Sequence, residues 1–408
     1  MLLSFRFANH RSFRDEQQLN LMPVYGSEAD QPRSLEPVRT AGIFGANASG
    51  KSNCLNALVF MGQTVLRSDR DVEPGFGIFR DPFLLSPQFR TDPSRYVVDL
   101  VLRGIRHAYG FTITDDGVLE EWLYHYPLKK RRRVFERDGR DFTWGEESRK
   151  RSDLENVATI TAPTALFLST VARFVTASAP PDADDPLCAV YRWFQGNRIR
   201  SGAGRLFDIA RRWPEEEEDR KVIVELVKAA GFGIEGISFR HRREDLFPGG
   251  SNRSLSDLQF HHCGSDVSAS LHLAQESAGT QQLLDLAIDA VHILRVGGLM
   301  TIDEIDASLH PILTAKLIGL FQAPVTNPQG SQLVFTSHDA TLLGTIDGEQ
   351  VLDRDEIWFT EKQDNGVSVL FPLSDFKPRK EGENRQRRYL NGNYGAVPDL
   401  STRLFERR

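Results

Sequence analysis

The sequence has 408 residues, which allows one elaborated domain or two lobes. Its formal net charge of -6 excludes a uniformly basic protein that coats nucleic acid or an anionic membrane, so any such surface must be local. The 3 cysteines are odd in number and far apart, which gives no disulfide framework and favours a reducing compartment. The sequence shows neither a signal peptide nor an apolar run of roughly 18 residues, so we expect a cytoplasmic protein without a membrane partner.

The N-terminal part of the sequence predicts a hairpin, a strand-loop-helix unit and a small antiparallel sheet. Apolar residues alternate over 3–7 and 19–23, which indicates two strands joined by a polar turn. An apolar run over 38–44 ends in a glycine loop, and a helix-like stretch follows over 52–67. Short alternating runs over 95–142, separated by Gly and Asp, indicate the antiparallel sheet.

The middle of the chain, from about 153 to 231, is predicted to be mainly helical. Pro214 opens its clearest helix, the acidic run 215–218 occupies the positive end, and Gly231 closes it. The helix dipole therefore explains the acidic run, with a partner-binding patch as the alternative. Strands and helices alternate again after Ser268, which predicts an α/β core that is split by the middle of the chain.

The octapeptide GANASGKS, residues 45–52, fits the pattern G-x-x-x-x-G-K-[ST] between the predicted strand and helix. Backbone N–H groups of such a loop and the helix N-terminus form an anion site, and its glycines permit close approach. Lys51 would reach the β- and γ-phosphates, and the Ser52 hydroxyl would ligate Mg²⁺. An ordinary glycine-rich turn is the alternative. The nucleotide-binding candidates of this segment are Asn47, Gly50, Lys51, Ser52 and Asn53.

An apolar strand over 299–302 ends in two adjacent carboxylates, Asp303 and Glu304. Asp303 would hold the metal, directly or through water, and Glu304 would orient and deprotonate the attacking water. A second buried-strand pattern over 332–336 is followed by His338, which places this residue at the same carboxyl edge as a γ-phosphate sensor. The alternatives are an exposed acidic strand end and a structural histidine.

The segment ESAGTQQ, residues 276–282, begins a predicted amphipathic helix and so provides a second anion site. Ser277, Gly279 and Gln281 are its candidate residues. Two such helix starts, too far apart in the α/β order to serve one phosphate together, make sense if the second serves the nucleotide of a partner subunit. A plain capped helix is the alternative for this segment alone.

With these motifs in this order, the chain resembles the ABC-type ATPases, in which 276–282 matches the signature and 306–309 the D-loop. The Asp303-Glu304 pair then matches Walker B, and His338 matches the switch histidine. The opening FRFANHRSFRD is similar to the first strand of the SMC/RecF/OLD lineage, whose basic residue lies against the nucleotide, so Arg11 is the matching candidate. The phrases TALFLSTVARF and DFKPRKEGENRQRRYLNGNYGAVP resemble stand-alone ATP-binding proteins of bacterial anti-phage loci, the RloA and AriA type.

The resemblance implies an α/β fold, namely an ABC-type P-loop ATPase head with an antiparallel β lobe and a helical insertion. The N-terminal part of the head would span 1–150, a mainly helical insertion 151–268, and the C-terminal part with a basic tail 269–408. Such a protein would bind ATP and Mg²⁺, close as a homodimer or higher homo-oligomer around ATP, and hydrolyse it. It would act as a sensor or scaffold that controls a separately encoded effector in anti-phage defence.

Two other functions stay open. A DNA-repair ATPase of the RecF kind would act on DNA and would present a contiguous basic face. The basic runs 129–133 and 377–388 are local candidates for phosphate contacts. The alternatives are a solvated hairpin tip and a solvated tail that packs through Tyr389, Leu390 and Tyr394. An ATP-dependent nuclease would need a metal-binding carboxylate cluster, which the sequence does not show. The tripeptide at 261–263, His-His-Cys, lacks a second pair of ligands at zinc-like spacing, and no Q-loop glutamine is assigned.

Overall fold

The computed structural model describes residues 1–25, 36–70, 77–174, 185–200, 209–229, 233–239, 258–263, 267–307, 309–379 and 382–398. In chain order, the first elements are β1 (Leu2–Ala8), β2 (Gln17–Asn20), β3 (Thr40–Phe44), α1 (Lys51–Arg67), α2 (Pro87–Thr91), β4 (Ser94–Leu102), β5 (Ile105–Ile113), β6 (Val118–Tyr126), β7 (Arg132–Asp138), β8 (Asp141–Trp144), α3 (Ser152–Ile160), α4 (Phe167–Phe174) and α5 (Pro186–Gly196). They are followed by β9 (Arg198–Arg200), α6 (Ile209–Arg212), α7 (Glu217–Ala229), β10 (Ile234–Phe239), β11 (Leu258–Cys263), β12 (Ser268–His272), α8 (Ala278–Val296), β13 (Leu299–Ile302), α9 (Pro311–Gln322), β14 (Gln332–Thr336), β15 (Thr345–Ile346), β16 (Glu349–Gln350), β17 (Ile357–Lys362), β18 (Ser368–Pro372) and α10 (Arg385–Leu390).

An antiparallel sheet contains the N-terminal strand. Its strands stand in the order β2-β1-β4-β5-β6-β7-β8, and each adjacent pair is antiparallel. Its inner face is aromatic, because large flat side chains fill the space between a pleated sheet and the helices that cover it. The hairpin and the antiparallel sheet predicted from the sequence are confirmed. Fully buried rings on the inner face belong to Phe5, Tyr96, Tyr109, Phe111 and Phe135.

A second, mostly parallel sheet has the strand order β18-β17-β3-β14-β13-β9, in which β18 is the antiparallel edge. Every residue of β3, β13 and β14 is buried, which is why these strands read as continuous apolar runs. Because the strands are parallel, their carboxyl ends meet at one edge, where α/β proteins bind ligands. The predicted α/β class with an antiparallel β lobe is confirmed.

Segment 151–268, predicted to be a mainly helical insertion, also contains short strands. Its described residues include α3 to α7, but also the strands β9, β10 and β11. Strand β9 pairs with β13 and extends the parallel sheet, while β10 and β11 join β12 in a three-stranded antiparallel sheet. The 3 residues of β9 are too few for an alternating pattern to show in the sequence. Gly231, the predicted end of α7, lies outside the described residues.

Most of the buried hydrophobic residues described for segment 151–268 belong to one of two separate hydrophobic cores. The first core joins α1, the antiparallel sheet and α3 to α5. The second joins α7, the three-stranded sheet, α8 and most of the parallel sheet. Arg212 on α6 donates to the buried carboxylates of Asp285 and, at 2.7 Å, Asp289 on α8, and this pairing offsets their loss of solvation. None of the described helices is long and apolar enough to span a bilayer.

Candidate nucleotide-binding site

The predicted phosphate-binding loop connects β3 to α1, and two of its glycines are required by their surroundings. Gly45 has φ 155° and Gly50 has φ 117°, values at which a side chain is strained. A Cβ atom on Gly45 would lie 2.4 Å from the carbonyl oxygen of Thr360, and one on Gly50 would lie 2.6 Å from Ser368 Oγ. Strands β17 and β18 thus press on the loop and fix its shape.

Lys51 lies at the first position of α1 and folds back into the loop. Its ammonium donates to the carbonyl oxygens of Gly45 at 2.8 Å and Ala46 at 2.9 Å. Burial lowers the pKa of Lys51 to about 8, against the opposing effect of nearby carboxylates, of which Glu304 has the largest influence. The side chain is therefore cationic at neutral pH and is held against the carbonyl groups of its own loop.

The predicted metal ligands, Ser52 and Asp303, are in direct contact. Ser52 Oγ donates to Asp303 Oδ1 at 3.0 Å, and Thr336 Oγ1 donates to the same oxygen at 2.6 Å. The parallel pairing of Ile302 with Phe335 brings these strand ends together. A hydroxyl and a carboxylate are the hard oxygen ligands that Mg²⁺ prefers, so the residues fit the metal that the sequence predicts.

Glu304 and His338 face each other across the carboxyl ends of β13 and β14. The backbone N–H of Glu304 donates to Thr336 Oγ1 at 2.7 Å, and its left-handed φ of 54° turns the chain out of the strand. The Glu304 side chain is 54% exposed, and its Oε1 lies 3.7 Å from His338 Nε2. The backbone N–H of His338 donates to Asp306 Oδ1 at 3.2 Å, which joins the predicted D-loop to the histidine. Ser308 of that loop lies outside the described residues.

The loop, the start of α1 and the carboxyl ends of the neighbouring strands line an open groove of ≈ 720 Å³. The predicted loop residues, Glu304 and His338 all line it, so the structure brings them together. Lys362, at the carboxyl end of β17, also lines the groove and was not expected. Strand β17 is parallel to β3, so its carboxyl end lies at the edge of the sheet where α/β proteins bind ligands. This position at a strand end is the signal that could have identified Lys362. The complete lining is Asn47, Ala48, Ser49, Gly50, Lys51, Ser52, Asn53, Glu304, His338 and Lys362.

Arg11 lies in the turn after β1, with φ 51°, and its guanidinium does not line the groove. Its Nε donates to Asp81 Oδ2 at 3.0 Å. The next residue, Ser12, does reach the loop, since its Oγ accepts a hydrogen bond from Asn53 Nδ2 at 2.8 Å.

The predicted signature segment lies at the start of α8, as expected, and is separate from the groove of the same chain. Ser277 is the N-cap residue, and its Oγ accepts from Thr280 N at 3.1 Å. Gln281 Nε2 donates to the carbonyl oxygens of Leu273 and Glu276, each at 2.9 Å. The Gln281 amide is thus engaged by carbonyl groups just before α8, and neither Ser277 nor Gly279 lines the groove.

Three solved structures to which the chain is similar are SMC heads. The SMC head bound to the C-winged helix domain of ScpA has a TM-score of 0.46 and 14% identity, covering 92% of this chain and 99% of that chain. The SMC head domain from Thermotoga maritima has a TM-score of 0.43 and 14% identity, covering 91% and 98%. The SMC head with an extended coiled coil, bound to the C-terminal domain of ScpA and derived from Pyrococcus furiosus, has a TM-score of 0.40 and 12% identity, covering 92% and 97%.

No curated protein matches the sequence. A family model described as "AAA domain, putative AbiEii toxin, Type IV TA system" matches residues 41–344. The matched range is well over half of the chain and contains the phosphate-binding loop, the start of α8 and the carboxylates after β13. The parallel sheet carries the phosphate-binding loop beside an antiparallel β lobe, and the chain belongs to this family of AAA domains.

Proposed function

We propose that this protein is an ATPase of the ABC kind, in which two copies close around ATP and slow hydrolysis times a signal to a separately encoded effector. The placement of two helix starts carries this proposal. The start of α1 lines the groove, whereas Ser277 and Ala278 at the start of α8 are exposed and line no part of it. A second copy that supplied its own α8 start would complete the phosphate site.

The contacts within one groove support a role for each side chain. Lys51 would exchange the loop carbonyls for the β- and γ-phosphates. Bound Mg²⁺ would neutralise phosphate charge and would be held by Ser52 and Asp303. Glu304, which projects into the groove, would accept a proton from the attacking water, and His338 beside it would contact the γ-phosphate.

ATP would favour the closed dimer because only that form offers contacts from both copies to one nucleotide, and a ligand shifts an equilibrium by its differential affinity. Loss of the γ-phosphate would remove those contacts and let the copies separate. This movement would then act on another protein. The family's description as a putative toxin of a Type IV TA system supports a chain that works together with a second gene product, and the resemblance to the RloA and AriA type supports a role in anti-phage defence.

Gly279→Asp tests the sandwich directly. The new carboxylate would face the γ-phosphate bound by the other copy, so hydrolysis should fall on the order of a hundredfold. ATP binding by each subunit should stay near that of the natural protein, because Gly279 does not line its own groove. A fluorescent-nucleotide titration measures the binding, and phosphate release measures the turnover.

The same variant also tests the arrangement in trans. In a mixed dimer of Gly279→Asp and Lys51→Ala subunits, one site combines the intact loop of the first with the intact α8 start of the second. Mixing two inactive proteins should therefore restore one working site per mixed dimer. Normal turnover by Gly279→Asp alone would count against the sandwich.

A DNA-repair ATPase is the second candidate, because positive charge is concentrated on the antiparallel lobe. Residues 125–151 carry 10 Lys and Arg against 5 Asp and Glu in a chain of net charge -6. Beside the β6-β7 hairpin, basic side chains line a cleft of ≈ 690 Å³, and Arg149 and Lys150 have no ion-pair partner among the described residues. If this cleft binds duplex DNA, Arg149→Ala/Lys150→Ala should weaken binding and reduce its salt dependence. An unchanged salt dependence in a titration would exclude this cleft as the DNA site.

A further inference from the structure

Two adjacent histidines on β11 have different partners, and one of them reaches the start of α8. His262 Nε2–H donates to Glu276 Oε1 at 2.7 Å. His261 is hydrogen bonded to the hydroxyls of Ser238 at 2.7 Å and Ser270 at 2.9 Å, within the three-stranded sheet. Successive side chains of a strand point to opposite faces, which separates the two sets of contacts.

Glu276 connects this sheet to the signature segment, because it immediately precedes the N-cap residue Ser277. Its side chain is only 5% exposed, so the carboxylate depends on a protein partner for its hydrogen bonds. Its backbone carbonyl accepts from Gln281 Nε2 at 2.9 Å. The residue is therefore held through its side chain by β11 and through its backbone by α8.

At the start of α8, Thr280 is buried and Gln281 Nε2 donates to the carbonyl oxygen of Leu273, so these two residues anchor the first turn. Ser277 and Ala278 are exposed, and the hydrogen bonds described for Ser277 lead to Thr280 and Gln281 of the same helix. Besides the chain connection from β12, the contact with His262 ties this exposed helix start to the neighbouring strand β11. A small rotation of this helix start would move its N–H groups and hydroxyl away from a phosphate, and misplacement by about 1 Å is enough to reduce turnover strongly.

We propose that His262 is a positioning residue: through Glu276 it holds the start of α8 in the orientation in which Ser277 and Gly279 meet the nucleotide of a second copy. This inference rests on the proposed ATP sandwich. His262 touches no nucleotide, and its contribution belongs to the site whose loop lies on the other subunit. The three-stranded sheet is then the support of the signature segment.

His262→Ala should lower the rate of ATP hydrolysis about tenfold, while the ATP affinity of the groove on the same chain is unchanged. His262→Gln, whose amide can still donate to Glu276, should recover part of the rate. His261→Ala is the matched control, since it removes a histidine from the same strand without touching Glu276. Equal losses in His262→Ala and His261→Ala would overturn the proposal, because they would reflect damage to the sheet.

Mixed dimers separate this inference from the proposed function. His262→Ala mixed with Lys51→Ala should regain activity, because one site then combines an intact loop with an intact α8 start. If Gly279→Asp with Lys51→Ala regains activity and His262→Ala with Lys51→Ala does not, the positioning role is wrong and the sandwich stands. If neither mixture regains activity, the sandwich itself is wrong.

Glu276→Ala keeps the proposal testable if His262→Ala fails to fold, as judged by its melting temperature. It removes the same contact from the other side and should produce the same loss, again restored by mixing with Lys51→Ala. In the natural protein the two side chains act as one unit, so the double variant should be no slower than the slower single variant. Losses that multiply would show that the residues act independently and would overturn the inference.

Discussion

Thr336 shows how much of the site depends on one hydroxyl that the sequence does not single out. It donates to Asp303 Oδ1 and accepts from the backbone N–H of Glu304, so the hydroxyl acts as donor and acceptor at once. The metal ligand and the general base of the proposed mechanism are therefore oriented by the same atom. A threonine at a strand end is common, and only the register of β13 against β14 gives it this position.

Glu304→Gln should convert the protein into a trapped dimer. The amide keeps the shape of the side chain but cannot accept the proton of the attacking water, so turnover should fall at least on the order of a hundredfold while ATP remains bound. With ATP and Mg²⁺, light scattering after size exclusion should show a stable dimer. Lys51→Ala should bind no ATP and form no such dimer.

Glu349→Gln is the control for this experiment, since it makes the same change at an exposed position on β16. It should hydrolyse ATP at the natural rate and show no trapped dimer. Normal turnover by Glu304→Gln would assign the base to another residue. A monomer that retains ATP would contradict the dimer instead.

The residues of the groove that could be predicted are those in local patterns. The loop is contiguous in sequence, and the two carboxylates follow a recognisable buried strand. Lys362, Thr336 and Ser12 were not assigned, because each reaches the site through pairing between segments that are distant in sequence. Local periodicity indicates the type of an element, whereas the neighbours of a strand depend on the whole fold.

At the scale of elements, the buried carboxylate of Glu356 connects three segments at the parallel sheet by hydrogen bonds. It accepts hydrogen bonds from the hydroxyl of Thr40 on β3, from Gln322 Nε2 on α9 at 2.8 Å, and from Asp353 N at 2.8 Å. Because the carboxyl group is buried, its pKa is raised to about 7. These contacts fix the start of the strand that leads into the phosphate-binding loop.

Glu356 should make the protein less stable as the pH rises. Its folded pKa lies above the unfolded value, so the native state binds the extra proton between about pH 4.5 and about pH 7. The free energy of unfolding should fall across that window by on the order of 3 kcal/mol through this group. Glu356→Gln cannot titrate and can keep hydrogen bonds through its amide. Its Tm relative to the natural protein should therefore be higher at pH 8 than at pH 5.

The control for this prediction is again Glu349→Gln, whose exposed carboxylate has no such burial to relieve. Its Tm difference from the natural protein should stay constant with pH. If Glu356→Gln and the natural protein lose stability in parallel between pH 5 and pH 8, the raised pKa of Glu356 does not control this pH dependence. Thermal unfolding followed by circular dichroism is sufficient for the comparison.

Long elements with one clear period could be predicted, and short ones could not. Helix α1 and strands β3, β13 and β14 follow from continuous or periodic apolar runs with glycine or polar residues at their ends. Strand β9 is missed because it has 3 residues and gains its place only by pairing with β13. The three-stranded sheet is missed because β10 and β11 lie far apart in sequence.

At the scale of the whole molecule, the sequence predicts that the middle of the chain splits the α/β core. It does not predict that helices from this middle part pack into two different hydrophobic cores. Helices α3 to α5 join the core of the antiparallel sheet, and α7 joins that of the parallel sheet. The basic tail is also a packed element. Tyr389 and Tyr394 each stack on Phe359 at 5.5 Å, and Arg388 pairs with Glu383. Such long-range packing determines which charges remain available to a partner, and charge runs in the sequence do not show it.

The proposed dependence on a partner is the prediction for the molecule as a whole. Among the described residues, no group of three or more His, Cys, Asp or Glu side chains is placed to hold a metal ion. We expect purified protein to hydrolyse ATP slowly and to leave duplex and single-stranded DNA uncut with Mg²⁺ or Mn²⁺. If the proposed ATP-driven movement acts on another protein, a cellular phenotype should require the product of a neighbouring gene.

Phage challenge of cells measures this dependence. The cells carry this gene alone, its neighbour alone, or both, and the paired strain is repeated with Glu304→Gln. Protection is expected only in the paired strain and should change with Glu304→Gln, because that variant holds the ATPase in its closed form. Glu349→Gln in the paired strain should protect as the natural protein does. Full protection by this gene alone would refute the partner model, and cleavage of DNA by the purified protein would favour the nuclease alternative, because either result would place the effector chemistry on this chain.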